Sequence, residues 1–257
     1  MDGRGAPGVS GRRVPIAELK SGEETLEGAV AHYLARVLRL RAGDCFVAFD
    51  PARAREADAS VLRAEGSSLS VRVGPIREPP VHARRELTII QALAKGEKCD
   101  AIVRDATELG ATRISMATTR RTVVKLDPSR AHARQERWAR IAEQAARQSG
   151  RSDTPVIEAP AAWGEAIARV TSTCRRFCLW ERAVDPLGPP LFDALSEDTE
   201  LAFACGPEGG LEPAEVALAR DLGWTVASLG TRTLRTETVA AAVLGAVQVW
   251  GDFLRNR

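Results

Sequence analysis

The sequence predicts an α/β protein: a doubly wound, mostly parallel sheet preceded by a small β-rich domain. Three observations carry this. From residue 87 onward, short apolar runs alternate with amphipathic helical stretches, the pattern of parallel strands covered on both faces by helices. Residues from about 12 to 80 instead carry short runs separated by Asp-Pro, Glu-Gly-Ser and Gly-Pro turns, as a small β-barrel with one helix would. Between them, Arg77 to Arg85 contains Pro79-Pro80, a linker composition that puts the boundary near residue 80.

In chain order, residues 1–11 are rich in Gly and Arg and read as a disordered leader. The first domain, 12–80, holds a helix from Ala29 to Leu40, then strands over Cys45–Phe49, Ala59–Ala64 and Ser68–Val73. The second domain, 81–257, opens with a buried strand over Leu87–Leu93. An amphipathic helix follows over Cys99–Leu109, with Ile102, Val103, Ala106 and Leu109 on one face and Gly110 as its C-terminal stop. Arg113–Ala117 is a strand, Pro128–Gln148 a long basic helix, Trp163–Val170 a helix and Arg176–Trp180 a strand. Leu201–Cys205 and Thr225–Leu229 complete the sheet, and a helix with Thr236 as N-cap runs to about Trp250.

Composition excludes several classes. The net charge is +2, so any affinity for nucleic acid must come from local patches. Five cysteines and three scattered histidines form no zinc pattern, so no metal is expected. Unpaired thiols suit a reducing, cytoplasmic compartment. No apolar run approaches the ~20 residues needed to span a bilayer, and no signal-peptide apolar region opens the chain. One local patch stands out. Between Arg113 and Arg151 the chain carries an excess of seven positive charges, which is either an exposed helical surface or a footprint for phosphates.

The last fifth of the chain carries the candidate site. The apolar run Leu201–Cys205 ends in Gly206-Pro207-Glu208-Gly209-Gly210, and Thr225–Leu229 ends in Gly230. Glycines permit left-handed backbone and close approach of a ligand to the main chain. Ligands in open α/β sheets bind at the carboxyl ends of the strands. Either loop alone serves equally well as a tight turn. Together they precede Leu234-Arg235-Thr236-Glu237-Thr238, a polar cluster at a helix start. Neither loop matches a dinucleotide or P-loop fingerprint.

These motifs resemble those of the ribosomal RNA small subunit methyltransferase E family. GPEGG, Ser228-Leu229-Gly230 leading into LRTET, Ala106–Gly110 as ATELG, Glu136-Arg137-Trp138, and Gln148-Ser149-Gly150-Arg151 stand in the family's order, as do His32, Val37-Leu38-Arg39 and Gly43-Asp44. Matched stretches run from about 29 to 250. The chain departs in having Val239 where many members have Ala, Thr119-Arg120 and Thr122 within the family's SERSVVK segment, and Arg147 at a position usually acidic. The resemblance implies a trefoil-knotted SPOUT domain following a PUA-like RNA-binding domain. It further implies a homodimer and transfer of a methyl group from S-adenosylmethionine to N3 of a uridine in 16S rRNA of the small ribosomal subunit.

On that basis, Gly206, Glu208, Gly209, Gly210, Leu229, Gly230, Leu234, Thr236 and Thr238 are the expected cofactor residues. Arg235 is expected to stabilise charge on the uracil, with Glu237 orienting it or taking a proton. Arg36, Arg39, Arg121, Lys125 and Arg151 are expected to contact RNA. A non-catalytic RNA-binding protein of this fold, or a SPOUT enzyme acting on another RNA, would share many of these motifs.

Overall fold

The computed structural model describes residues 12–50, 53, 55–65, 68–78, 85–123, 128–197 and 199–255. The expected leader at 1–11 lies outside the described residues. The chain divides into two compact units, one reaching His82 and including Ala146–Thr154, the other made of Ala83–Ala145 and Pro155–Arg257.

The first unit is a five-stranded sheet. Its strands are β1 (Arg13–Pro15), β2 (Gly22–Leu26), β3 (Cys45–Asp50), β4 (Arg55–Glu65) and β5 (Ser68–Val73), in the order β1-β3-β4-β5-β2. The pairs are antiparallel except β1 with β3. Two of these strands, β1 and β2, carry too few alternating residues to stand out in the sequence. Helix α1 (Gly28–His32) continues as a wider π turn over Tyr33–Val37, so the expected helix to Leu40 stops early. Ala31 and Leu34 are buried in a core with Phe46, Ala48, Val61 and Val71.

Residues 146–154 join this unit through polar contacts. Ser152 Oγ donates to Glu56 Oε2 at 3.1 Å, and the Arg147 guanidinium lies 5.5 Å from the Tyr33 ring centroid. Gly150, at φ +79, ends the long helix, with Arg151 N–H bonding Ala146 O at 2.9 Å. Domain assignment by position alone misses this excursion, because the contacts joining it to the first unit are far apart in sequence.

The second unit is built on β6 (Leu87–Ala92), β7 (Arg113–Thr118), β8 (Val156–Ile157), β9 (Ala161–Ala162), β10 (Arg175–Leu179), β11 (Leu201–Cys205) and β12 (Thr225–Ala227). The sheet order is β12-β10-β11-β6-β7-β8, with β9 also on β7, and every pairing is parallel. Strands β6 and β11 are buried along their whole length, which explains their unbroken apolar runs. The Phe177 and Phe203 rings stack across β10 and β11 at 5.5 Å.

Helices α2 (Lys98–Glu108), α3 (Pro128–Gln148), α4 (Trp163–Ala168), α5 (Gly188–Ser196), α6 (Pro213–Asp221) and α7 (Thr236–Arg255) connect or follow these strands. Helix α2 ends as read: Gly110 has φ +94, and Gly110 and Ala111 N–H groups close on Thr107 and Ala106 carbonyls. Helix α6 begins with a reciprocal cap between Glu212 and Glu215, with Pro213 first in the helix. The Gly-Pro-Pro start of α5 hides a nine-residue helix that the sequence reading passes over. Because all strands run the same way, the loops after β6, β10, β11 and β12 emerge at one edge of the sheet, where the candidate site forms.

In the first unit, Glu56 is 1% exposed and accepts from Arg13 Nη2 at 2.7 Å, Arg77 Nε at 3.1 Å and Ser152 Oγ. Glu56→Ala is expected to destabilise this unit by about 3–5 kcal/mol, because it strands a partly buried guanidinium. Urea unfolding, read with hydrogen exchange in β1 and β3, checks this; a loss under about 1 kcal/mol would contradict it.

Candidate functional site

A cavity of about 450 Å³ opens at the C-terminal edge of the second unit's sheet. Leu179, Trp180 and Glu181 at the end of β10, Gly206–Gly210 after β11, Leu229, Gly230 and Arg232–Thr236 after β12, and Lys98 and Val239 contribute to its walls. Of the expected cofactor residues, Gly206, Glu208, Gly209, Gly210, Leu229, Gly230, Leu234 and Thr236 line it, and so does Arg235.

Space around three of the glycines is tight, and two are set by dihedral angle. A Cβ on Gly206 would sit 3.1 Å from Leu211 Cγ, one on Gly209 3.3 Å from Arg121 Cβ, and one on Gly210 2.7 Å from Glu181 Oε1. Gly210 and Gly230 have φ +72 and +111, conformations that other residues adopt at a cost. The result is a cradle of bare main chain.

A buried side-chain cluster fixes the cradle. Gln91, the penultimate residue of β6, is fully buried. Its Nε2 lies 2.9 Å from Ala92 O, 3.1 Å from Gly206 O and 2.9 Å from Thr236 Oγ1. Thr236 Oγ1 in turn donates to Gly206 O at 2.8 Å. Thr236, expected among the cofactor residues, lines the cavity, and its Oγ1 is engaged within the protein. That oxygen ties the start of α7 to the first glycine of the loop. Thr238 is exposed and outside the cavity lining, so its expected cofactor contact is corrected; helix α7 turns it away from the cavity.

Sequence reading missed Lys98, since one lysine in a helix start gives no signal. Its ammonium lies 3.1 Å from Glu208 Oε1 and 3.3 Å from Glu237 Oε2. Glu208 Oε1 also accepts the Lys95 N–H at 3.0 Å. The three side chains join the first turns of α2 and α7 to the glycine loop. Partial burial raises the Glu208 carboxyl, but the Lys95 N–H, its own N–H and Lys98 outweigh this and hold it low. Glu237 is held low by its own N–H, against burial, with help from Lys98 and Arg235. Lys98 is pushed up by its hydrogen bond to Glu208, against desolvation, and then by Glu237. Glu237 is therefore a carboxylate at neutral pH and a weak proton acceptor. Arg235 is exposed at the cavity wall.

The loop after β7 also braces the site. Arg121 Nη1 donates to Gly209 O at 2.7 Å, and Glu215 accepts the N–H groups of Arg120 and Glu212 at 2.8 and 2.9 Å. Arg121, expected on RNA, thus holds the glycine loop. Its side chain remains 37% exposed, which leaves donors for a phosphate. Arg151 is corrected: only 2% exposed, it is paired with Asp153 and presents no surface to RNA. In the first unit Arg36 and Arg39 are exposed at the exit of the π turn, and Arg39 is in the left-handed region at φ +54. Lys125 lies outside the described residues.

Among the described residues, no group of three His, Cys, Asp or Glu is placed to hold a metal ion, and no helix is long and apolar enough to cross a membrane. Burial pushes the Cys174 and Cys178 thiols up to about 11 and about 12, and Cys205 higher still, so these thiols are protonated and inert.

Comparison with known proteins gives the context. The model of the RNA methyltransferase domain matches residues 81–248, and that of the RNA methyltransferase PUA domain matches 26–74. A Synechocystis protein named ribosomal RNA small subunit methyltransferase E is 35% identical, the match covering 87% of this chain and 72% of the relative. This chain belongs to the ribosomal RNA small subunit methyltransferase E family. The family member of Bacillus subtilis is 30% identical, with 90% of this chain and 92% of that one covered. A solved structure of the Neisseria gonorrhoeae member bound to S-adenosyl methionine superposes with a TM-score of 0.83 at 26% identity, covering 93% of this chain and 97% of that one. The glycine loops and the first three residues of LRTET line one cavity here.

The Lys98 link has a pH signature. Depressed Glu208 and Glu237 contribute above their ordinary value of 4.5 and lose their contribution as pH falls through their lower folded values. Lys98 contributes below its ordinary 10.5 and loses that contribution as pH rises through its higher folded value. The link is therefore intact across neutral pH. Lys98→Met is expected to lower amide protection in residues 206 and 208–210 at pH 7, and the gap from wild type should close as pH falls well below 4.5 and both carboxylates protonate. Equal protection at pH 7 would show that the link does not hold the loop.

Proposed function

We propose that this protein transfers a methyl group from S-adenosylmethionine to N3 of a uridine in 16S rRNA of the small ribosomal subunit. The observation that carries the reading is the cavity itself, where two glycine loops and Arg235 meet at the C-terminal edge of the sheet. The residues fit the cofactor. Gly206, Gly209, Gly210 and Gly230 would hold it through main chain, and Leu229 and Leu234 would pack on the adenine. When bound, the cofactor supplies an electrophilic methyl on a sulfonium.

The chain's own task is then to hold the uracil in line and ease the loss of its N3 proton. Arg235 supplies a permanent cation with paired donors for a carbonyl oxygen beside N3, where negative charge collects as the proton leaves. Glu237 stays ionised, which suits orienting Arg235 better than accepting the proton. Arg36 and Arg39 of the first unit, and the free donors of Arg121, are the proposed phosphate contacts; Lys125 completes that set from sequence alone.

A homodimer and the trefoil knot belong to the same reading. An apolar patch supports the first: Val249, Trp250 and Phe253 on α7 are about half exposed or more, and Phe192 meets Trp250 edge-on at 5.5 Å beside an apolar groove of about 600 Å³. The Gln91 cluster, which ties the start of α7 to the loop after β11, is compatible with the second. Reduced thiols and the substrate together favour the cytoplasm.

The decisive experiment is methyl transfer from labelled S-adenosylmethionine to small subunits lacking their own modification, followed by nucleoside analysis, with 3-methyluridine expected. Binding of cofactor without this product would point to another RNA, and no binding to a non-catalytic role. Arg235→Ala is expected to lower kcat by about 100-fold or more with little change in cofactor affinity. Glu237→Gln is expected to cost less than about tenfold, whereas losing a general base costs about 100-fold or more; a loss that large would reassign Glu237 as the base.

A further inference from the structure

One carboxylate of the cavity wall, Glu181, has no task in the cofactor reading. Glu181 follows β10, which lies in the sheet between β11 and β12, so it stands between the two glycine loops. The carboxylate reaches over the bare Cα of Gly210, where any Cβ would meet its Oε1 at 2.7 Å. Among the described residues it pairs with the adjacent Arg182, whose Nε lies 3.8 Å from Oε1, beyond hydrogen-bond distance.

Two other polar groups of the wall are engaged within the protein, and so is Glu237. Glu208 accepts from Lys95 and Lys98, and Thr236 is bonded to Gly206 and Gln91. Glu237 is paired with Lys98 and does not line the cavity. Of the two lining carboxylates, Glu208 and Glu181, Glu181 is the one that accepts no hydrogen bond among the described residues. An adenosine group held by main chain and leucines still presents two adjacent hydroxyls on its ribose. A carboxylate accepts two such donors at once, and these charge-assisted bonds are stronger than neutral ones.

We propose that Glu181 is the specificity residue that recognises the ribose diol of the cofactor. This rests on the cofactor reading above.

The test is calorimetric binding of S-adenosylhomocysteine and its 2′-deoxy and 3′-deoxy counterparts to the full chain, to Glu181→Ala and to Glu181→Gln. Wild type is expected to bind each deoxy compound about 10- to 100-fold more weakly than the parent, the range for hydrogen bonds to a charged group. Glu181→Ala should lose a similar factor on the parent and treat all three compounds alike, with Glu181→Gln between. The side chain is 39% exposed, so unchanged thermal unfolding is expected to show that both variants fold. Parent affinity unchanged in Glu181→Ala would overturn the proposal. So would weakened affinity with the full deoxy penalty retained, since Glu181 would then act elsewhere on the ligand. Failure of wild type to bind the parent compound at all would instead sink the cofactor reading itself, before any variant is compared.

Discussion

The site depends on one buried hydrogen-bond cluster. Gln91, at the end of a central strand, offers its amide to Gly206 O and Thr236 Oγ1, and Thr236 closes the set by donating to Gly206. These groups come from three segments that are distant in sequence. All of them are at least nine-tenths buried except Gly206, so leaving any of them unpaired would cost far more than the bond itself contributes. The cluster holds the glycine loop and the start of α7 at a fixed separation, and the cavity is the space that remains between them.

Around it lies a second, more exposed layer. Lys98 links Glu208 and Glu237 from the α2 side, and Arg121 holds Gly209 from the β7 side. These interactions are individually weak because water screens them. Their role is directional: each restrains the same five-residue loop from a different side. Catalytic positioning of the kind proposed needs this, since small misplacements at a reacting centre cost large factors in rate.

The same chemistry separates residues that look alike in sequence. Arg36, Arg39, Arg121 and Arg151 share one reading as phosphate contacts. The fold leaves Arg36 and Arg39 exposed, uses Arg121 partly as a brace, and buries Arg151 against Asp153. The motif around Arg151 is thus architectural, ending α3 at Gly150 and delivering Ser152 to Glu56.

Local physics determined much of this protein from sequence alone. Unbroken apolar runs marked β6 and β11 because both faces of a central parallel strand are covered, Gly110 marked the end of α2, and the glycine loops marked the cavity because glycines permit left-handed backbone and close approach. Short edge strands such as β1 and β2 left no such trace. Only tertiary structure decided which polar groups meet: that Gln91 serves Thr236, that Lys98 joins two carboxylates, and that Glu181 accepts no hydrogen bond among the described residues. Those pairings cross as many as 145 residues of chain, and no local pattern of side chains encodes a contact between segments brought together only by the sheet.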